Sequence, residues 1–508
     1  MGFIGASSAA ILAAALLASP VSAFTPQQAF FAPPSFASDP ALALAEAYSG
    51  STSAGRFPNL NTRFEVTSRN DSLFCGKEGD KYKSGYAHFT NVDGKEDKHL
   101  FWWLYEARND PANAPVVLVF GGGPGTTGMM SPLLGEGPCL VTGGEDNSLE
   151  KPHLVAAPYS WTDYVNLIAI DHPVGVGFSH GAKDSLRRTS EEAAWDIDDF
   201  LQAFWAEYPE LAKNQFMVHS GSYGGTYIPN LVNVMRNRNL AAKSDAESLR
   251  LIKIPEQIMM SNVWSDPATH YRHWVSSACY DLGFYNRTGC EAVIRDIPAC
   301  LDSIQLANEQ PTIKNKYESW SICSAAVHQE FLAGKDPSDN RCDHENCFMN
   351  SLLRLTDILN GTDVKAALGV PQDYNYNITA GFDRIGLPFI LAGDLQQPAY
   401  KLLGPAIEDG LRVLVYNGNN DGICPRRGNL AWMNLLQTKY QDEFRAAPEV
   451  GWPGVGWFKQ AAAGNGTSAG NYTFVSVYNS GHAPFLSQPK ATRDILIKWL
   501  KNEPFLSK

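Results

Sequence analysis

The strongest constraint on the fold is a rhythm of short apolar runs. Pro115–Phe120, Val165–Asp171, Gln215–His219 and Leu411–Asn417 are each rich in β-formers and bounded by Gly, Pro, Asn or Asp, and Ile254–Asn262 is a fifth. Runs of this length without alternation of polar residues predict strands buried on both faces, the signature of a parallel sheet. Between the second and third runs, residues 190–207 place Ala194, Ile197, Phe200, Leu201 and Phe204 on one helical face. Thr189 followed by Glu192 reads as a capping box at the start of that helix. Strands that alternate with helices imply an α/β protein, its mostly parallel central sheet flanked by helices. A cysteine-rich stretch at 267–382 breaks the rhythm. It is expected to be an inserted cap domain dividing the core into 51–266 and 383–508.

Nine cysteines among 508 residues point to an oxidising compartment. Six of them, Cys279, Cys290, Cys300, Cys323, Cys342 and Cys347, fall in the insert and predict a disulfide-dense segment. Asp343, His344 and Glu345 lie between the last two, but no second Cys/His pair of matching spacing follows. Disulfides are therefore expected rather than zinc, and no metal or cofactor is expected at all. The apolar stretch from Ala9 to Ala18 followed by Pro20 and Val21-Ser22-Ala23 reads as a signal peptide over 1–23. Residues 24–50, rich in Pro, Ala and Ser, read as a flexible leader or short propeptide. A secreted, vacuolar or lysosomal location follows; a plastid bipartite presequence with its junction at Ser22-Ala23-Phe24 ranks second. Six Asn-x-Ser/Thr sequons, starting at Asn70, Asn286, Asn360, Asn377, Asn465 and Asn471, become usable in that pathway. A net charge of −12 with no basic run argues against nucleic acid or an anionic membrane as partner, and oligomeric state is left open.

The chemistry is carried by a constellation rather than by one motif. Phe216-Met217-Val218-His219-Ser220-Gly221-Ser222-Tyr223-Gly224-Gly225 runs from an apolar strand into small-x-Ser-x-Gly and then a helix-like segment. A nucleophilic serine on a tight strand-to-helix turn requires small neighbours of this kind. Gly121-Gly122-Gly123-Pro124-Gly125 follows another strand and can aim backbone N–H groups at an oxyanion, with the Tyr223 N–H as second donor. Asp421 and His482 follow two further apolar runs. Taken singly, each of these features is more often a turn or a surface residue. The order Ser…Asp…His with an upstream oxyanion loop, however, is that of the α/β-hydrolase fold.

On these residues the chain resembles the serine carboxypeptidase family over roughly 80–505. Leu100-Phe101-Trp102-Trp103-Leu104-Tyr105-Glu106-Ala107-Arg108-Asn109-Asp110-Pro111, Pro158-Tyr159-Ser160-Trp161, Asp171-His172-Pro173-Val174-Gly175-Val176-Gly177-Phe178-Ser179 and Ser222-Tyr223-Gly224-Gly225-Thr226-Tyr227-Ile228-Pro229 carry the similarity. The resemblance implies a catalytic triad of Ser222, Asp421 and His482, oxyanion donors at Gly123 and Tyr223, and a peptide or small acyl substrate. It also implies bridges Cys300–Cys323, Cys342–Cys347 and Cys279–Cys290, with Cys424 free beside the site and Cys75 and Cys139 unassigned.

Departures from the family fall on the group that holds a substrate's terminal carboxylate. The family's Asn and two Glu residues correspond to Gly121, Gly221 and Gly135, and Glu136 is one residue from the third. Gly121, Gly122, Glu136, Gly221 and Cys424 are thus the candidate substrate contacts. The first expectation is release of C-terminal residues from peptides. An esterase or acyltransferase acting on substrates without a free carboxylate is the alternative, and Glu136 or a basic residue from the cap is the replacement clamp that would restore the first.

Overall fold

The structure is a computed structural model that describes residues 62–506, apart from short stretches at 71–74, 76, 92, 144–150, 245–252, 329–334, 343–346 and 379. The expected signal peptide and leader lie outside the described residues.

A single 12-stranded sheet organises the chain. Its centre is parallel: β4 (Val116–Phe120), β7 (Asn166–Ile170), β9 (Phe216–Gly221), β10 (Gln257–Ser261), β11 (Arg412–Gly418) and β14 (Tyr472–Val477) lie in the order β7-β4-β9-β10-β11-β14. The five apolar runs are β4, β7, β9, β10 and β11. They are continuous in hydrophobicity because both faces are covered, and successive side chains serve opposite cores. In β4, Val116, Leu118 and Phe120 enter one core, while Val117 and Val119 enter the other.

Helix α1 (Ser190–Glu207) and helix α2 (Gly224–Ser244) cover the first face through Ile197, Phe200, Phe204, Tyr227 and Leu231. Thr189 caps α1 as the capping box requires, its hydroxyl accepting from the Glu192 N–H at 3.2 Å. The Glu192 carboxylate reaches back one residue further than the motif predicts, to the Arg188 N–H at 2.9 Å.

Antiparallel strands extend both edges. On one side stand β1 (Arg63–Asn70), β2 (Tyr82–Thr90) and β3 (Glu96–Tyr105), with the two-residue β8 (His180–Gly181) paired to β3. On the other stand β12 (Val450–Trp452) and β13 (Gly456–Ala461), while β5 (Cys139–Thr142) and β6 (His153–Ala156) form a separate ribbon. Between β10 and β11 the described residues add helices and no strand, chiefly α3 (Arg287–Glu309), α4 (Ile313–Ala326) and α5 (Cys347–Leu359). A C-terminal helix, α6 (Pro489–Leu500), covers the second face with Ile495, Leu496 and Trp499.

The cysteines pair as Cys279–Cys290, Cys300–Cys323 and Cys75–Cys139. The last joins the two residues that sequence left unassigned, tying the segment before β2 to β5. Cys342 is also disulfide-bonded, and the side chain of Cys347 lies outside the described residues. Cys424 is free and buried.

Candidate active site

Strand β9 delivers Ser222 at its carboxyl end, and α2 begins two residues later. The backbone of Ser222 has φ of 57°, a left-handed conformation that non-glycine residues adopt at a cost of order 1–3 kcal/mol. The turn is held by hydrogen bonds from the Ser222 N–H to the Ser261 carbonyl at 3.0 Å and from the Trp264 N–H to the Ser222 carbonyl at 2.8 Å. Tyr223 anchors it from below, its hydroxyl donating to Asp394 at 2.6 Å in a fully buried contact that also receives the Ser190 hydroxyl. Burial pushes the Tyr223 phenol well above its ordinary value, so it stays a donor.

Asp421 follows β11 and His482 follows β14, so neighbouring parallel strands bring them together across 61 residues of sequence. His482 Nδ1 lies 3.0 Å from Asp421 Oδ2. The carboxylate can only accept, so Nδ1 carries the proton and Nε2 is left with a lone pair. Three more donors fix Asp421: Asn262 Nδ2 to the same oxygen at 2.7 Å, and the N–H groups of Ile423 and Cys424 to Oδ1 at 2.8 and 3.2 Å. Asn262 also donates to the Gly481 carbonyl at 3.2 Å, linking the loop that carries the histidine to the residue that orients it.

One cleft is lined by Ser222, His482, Gly121, Gly122, Gly123, Gly221 and Glu136. Asp421, Tyr223 and Cys424 lie behind that lining; Cys424 is buried, and burial raises its thiol well above its usual range. Among the described residues, neither the Gly123 N–H nor the Tyr223 N–H donates to a protein acceptor, so both remain available.

Two of the three clamp positions, Gly121 and Gly221, are closed as well as empty. A Cβ at Gly121 would sit 2.1 Å from the Thr126 carbonyl oxygen, and one at Gly221 would sit 2.6 Å from Ser261 Oγ. Among the described residues the lining contains no Arg or Lys, so a basic replacement from the insert is not found there. Its ionisable side chains besides His482 are Glu136 and His219.

These two are bonded to each other. His219 Nε2 is 3.2 Å from Glu136 Oε1, and both side chains are nearly inaccessible to solvent. His219 Nδ1 is 2.9 Å from the Met259 carbonyl, which can only accept, so that nitrogen is protonated. The contact between Nε2 and Oε1 therefore holds one proton, and the pair is neutral as a unit. Ser131 completes it, its hydroxyl donating to Glu136 Oε2 at 2.5 Å. Sequence reading singled out Glu136 but missed His219 and Asn262. The signal for His219 was an imidazole in an otherwise apolar strand, three residues before the serine.

Residues 76–502 match the serine carboxypeptidase family. The chain is 31% identical over 482 residues to carboxypeptidase Y homolog A of Neurospora crassa, covering 89% of this chain and 77% of that protein. The homologue from Botryotinia fuckeliana is 31% identical over 462 residues, covering 88% of this chain and 77% of its own length. Among solved structures, the prohormone-processing carboxypeptidase Kex1(Δ)p of Saccharomyces cerevisiae superposes with a TM-score of 0.67 at 20% identity, over 83% of this chain and 91% of that one, and so shares the fold. With the family match running from residue 76 to 502 and so through the strands that carry Ser222, Asp421 and His482, this chain belongs to the serine carboxypeptidase family and has its α/β-hydrolase fold.

Proposed function

We propose that the protein is a serine carboxypeptidase that releases C-terminal residues from peptides through an acyl-enzyme on Ser222. The observation that carries this reading is the His482–Asp421 hydrogen bond, beside a cleft that His482 shares with Ser222. In the proposed sequence, Ser222 Oγ attacks the scissile carbonyl while His482 Nε2 takes its proton. The N–H groups of Gly123 and Tyr223 donate hydrogen bonds to the developing oxyanion. His482 then protonates the leaving amine, and water, deprotonated by the same nitrogen, hydrolyses the ester. Asp421, held by Asn262, Ile423 and Cys424, keeps the imidazole in the tautomer this requires.

The Glu136–His219 pair is proposed to receive the terminal carboxylate. A neutral, proton-holding pair with the Ser131 hydroxyl beside it does not repel that group, as a bare carboxylate would. The family relationship favours this peptidase reading over an esterase or acyltransferase. The helical insert between β10 and β11 is proposed as the cap over the cleft, since it contributes Phe348 and Leu352 to the lining. A place in the secretory pathway is supported by the disulfides.

Assaying a blocked dipeptide as free acid and as amide, with Ser222→Ala as control, tests the reading. Hydrolysis of the free acid that disappears in the variant supports it. An enzyme that turns over only the amide or ester refutes it.

A further inference from the structure

At the antiparallel edge of the sheet, away from the cleft residues, strand register builds a row of polar side chains that sequence spacing hides. Arg63 pairs with His88, His88 with His99, and His99 with His180, so four strands contribute to one rung on one face. His88 Nδ1 and His99 Nδ1 face each other at 2.6 Å, and Glu96 Oε2 is 3.9 Å from His88 Nδ1. Ligand atoms of His88, Glu96 and His99 all lie within 4.8 Å of one another. We propose that His88, Glu96 and His99 form a binding site for a divalent first-row transition metal, with Zn²⁺ as its reference ion.

Two observations carry this. First, tetrahedral Zn²⁺ with ligands about 2.0–2.1 Å away sets its donor atoms roughly 3.3 Å apart, and the present separations bracket that value. Second, the orientation of His88 suits a ligand: its Nε2–H donates to Glu65 Oε2 at 3.0 Å, so Nδ1 keeps its lone pair and accepts from His99 Nδ1–H at 2.6 Å, a proton that a bound ion would displace. A carboxylate behind a histidine in this way fixes ring orientation and raises ligand basicity.

Arg63 bridges the two carboxylates, donating to Glu65 at 2.5 Å and to both oxygens of Glu96 at 2.7 and 2.9 Å. With two carboxylates against one guanidinium, the cluster is net negative and favours a cation. Glu96 is exposed, so water can reach the ion and complete its shell. Two imidazoles and a carboxylate suit Zn²⁺ and its neighbours over Mg²⁺ or Ca²⁺. The ion would join β2 to β3 at a sheet edge.

Zn²⁺ titration of the metal-stripped, full-length enzyme by calorimetry, with unfolding temperature as a second readout, tests the site. One ion bound per chain and a raised unfolding temperature are expected. His99→Ala should abolish this binding, and Glu65→Gln should weaken it by roughly ten- to hundredfold. Glu96→Ala removes an exposed ligand without disturbing the core, and should also weaken binding at least tenfold. Absence of saturable binding in the wild type, or equal affinity in the wild type and Glu96→Ala, would overturn the proposal.

Discussion

Replacing Glu136 with leucine is the sharpest probe of how this enzyme reads the end of a chain. The substitution removes both contacts of the carboxylate, to His219 Nε2 at 3.2 Å and from Ser131 Oγ at 2.5 Å, while roughly keeping volume. His219 stays tied to the Met259 carbonyl, so its Nε2 becomes an unpartnered buried atom. That should cost about 1–3 kcal/mol of stability. If the proton that Glu136 shares with His219 turns to the substrate's terminal carboxylate, transition-state binding of a free-acid peptide loses one charge-assisted hydrogen bond in the variant, about 1.5–3 kcal/mol. This corresponds to a fall in kcat/KM of roughly ten- to hundredfold. The same peptide as its C-terminal amide should change by less than about threefold, because it places no charge there. Measuring both substrates on one preparation cancels any loss of folded enzyme, so the ratio reports recognition alone. Glu136→Gln is the conservative partner: its amide offers one N–H to His219 Nε2 and one to the ligand, and it should retain most of the preference. A free-acid to amide ratio unchanged in Glu136→Leu would rule out Glu136 as the carboxylate's partner.

Further outcomes follow from the same geometry. Asn262→Ala removes the 2.7 Å donor to Asp421 and the link to Gly481, and should lower kcat by about tenfold with little change in KM, read in steady-state kinetics. His172 is fully buried with neither ring nitrogen partnered among the described residues, and burial depresses it to about 3. The stability it permits is present above about 6.5 and is lost as pH falls towards 3, because only the unfolded chain takes up the proton. His172→Phe should therefore flatten the acid limb of the stability profile by about 2 kcal/mol at a pH near 5, measured by denaturant unfolding. Replacing Cys300 and Cys323 together by alanine frees a loop of sequence separation 23 and should cost about 3 kcal/mol.

The parallel centre was legible because its strands are buried on both faces and so show as unbroken apolar runs. Ser222, Asp421 and His482 were legible for a related reason: each sits just beyond such a run, where a parallel sheet collects its chemistry. Sequence said less about the antiparallel edges. β1, β2 and β3 mix aromatic, charged and histidine residues, so no period marks them. Asn262 was silent because its role depends on three strands meeting, and His219 because a polar residue in a buried strand has meaning only once Glu136 is seen opposite. The His88–His99–His180 row is the extreme case, since register alone assembles it. The glycines at 121 and 221 read as missing side chains, and the structure adds that neighbouring atoms already fill that space.

Covalent labelling with a fluorophosphonate, followed by mapping of the modified peptide, tests whether Ser222 is a nucleophile activated by His482. A single adduct on Ser222 is expected, lost in Ser222→Ala and formed at least a hundredfold more slowly in His482→Ala. Labelling at another residue, or a rate unaffected by loss of the imidazole, would contradict it.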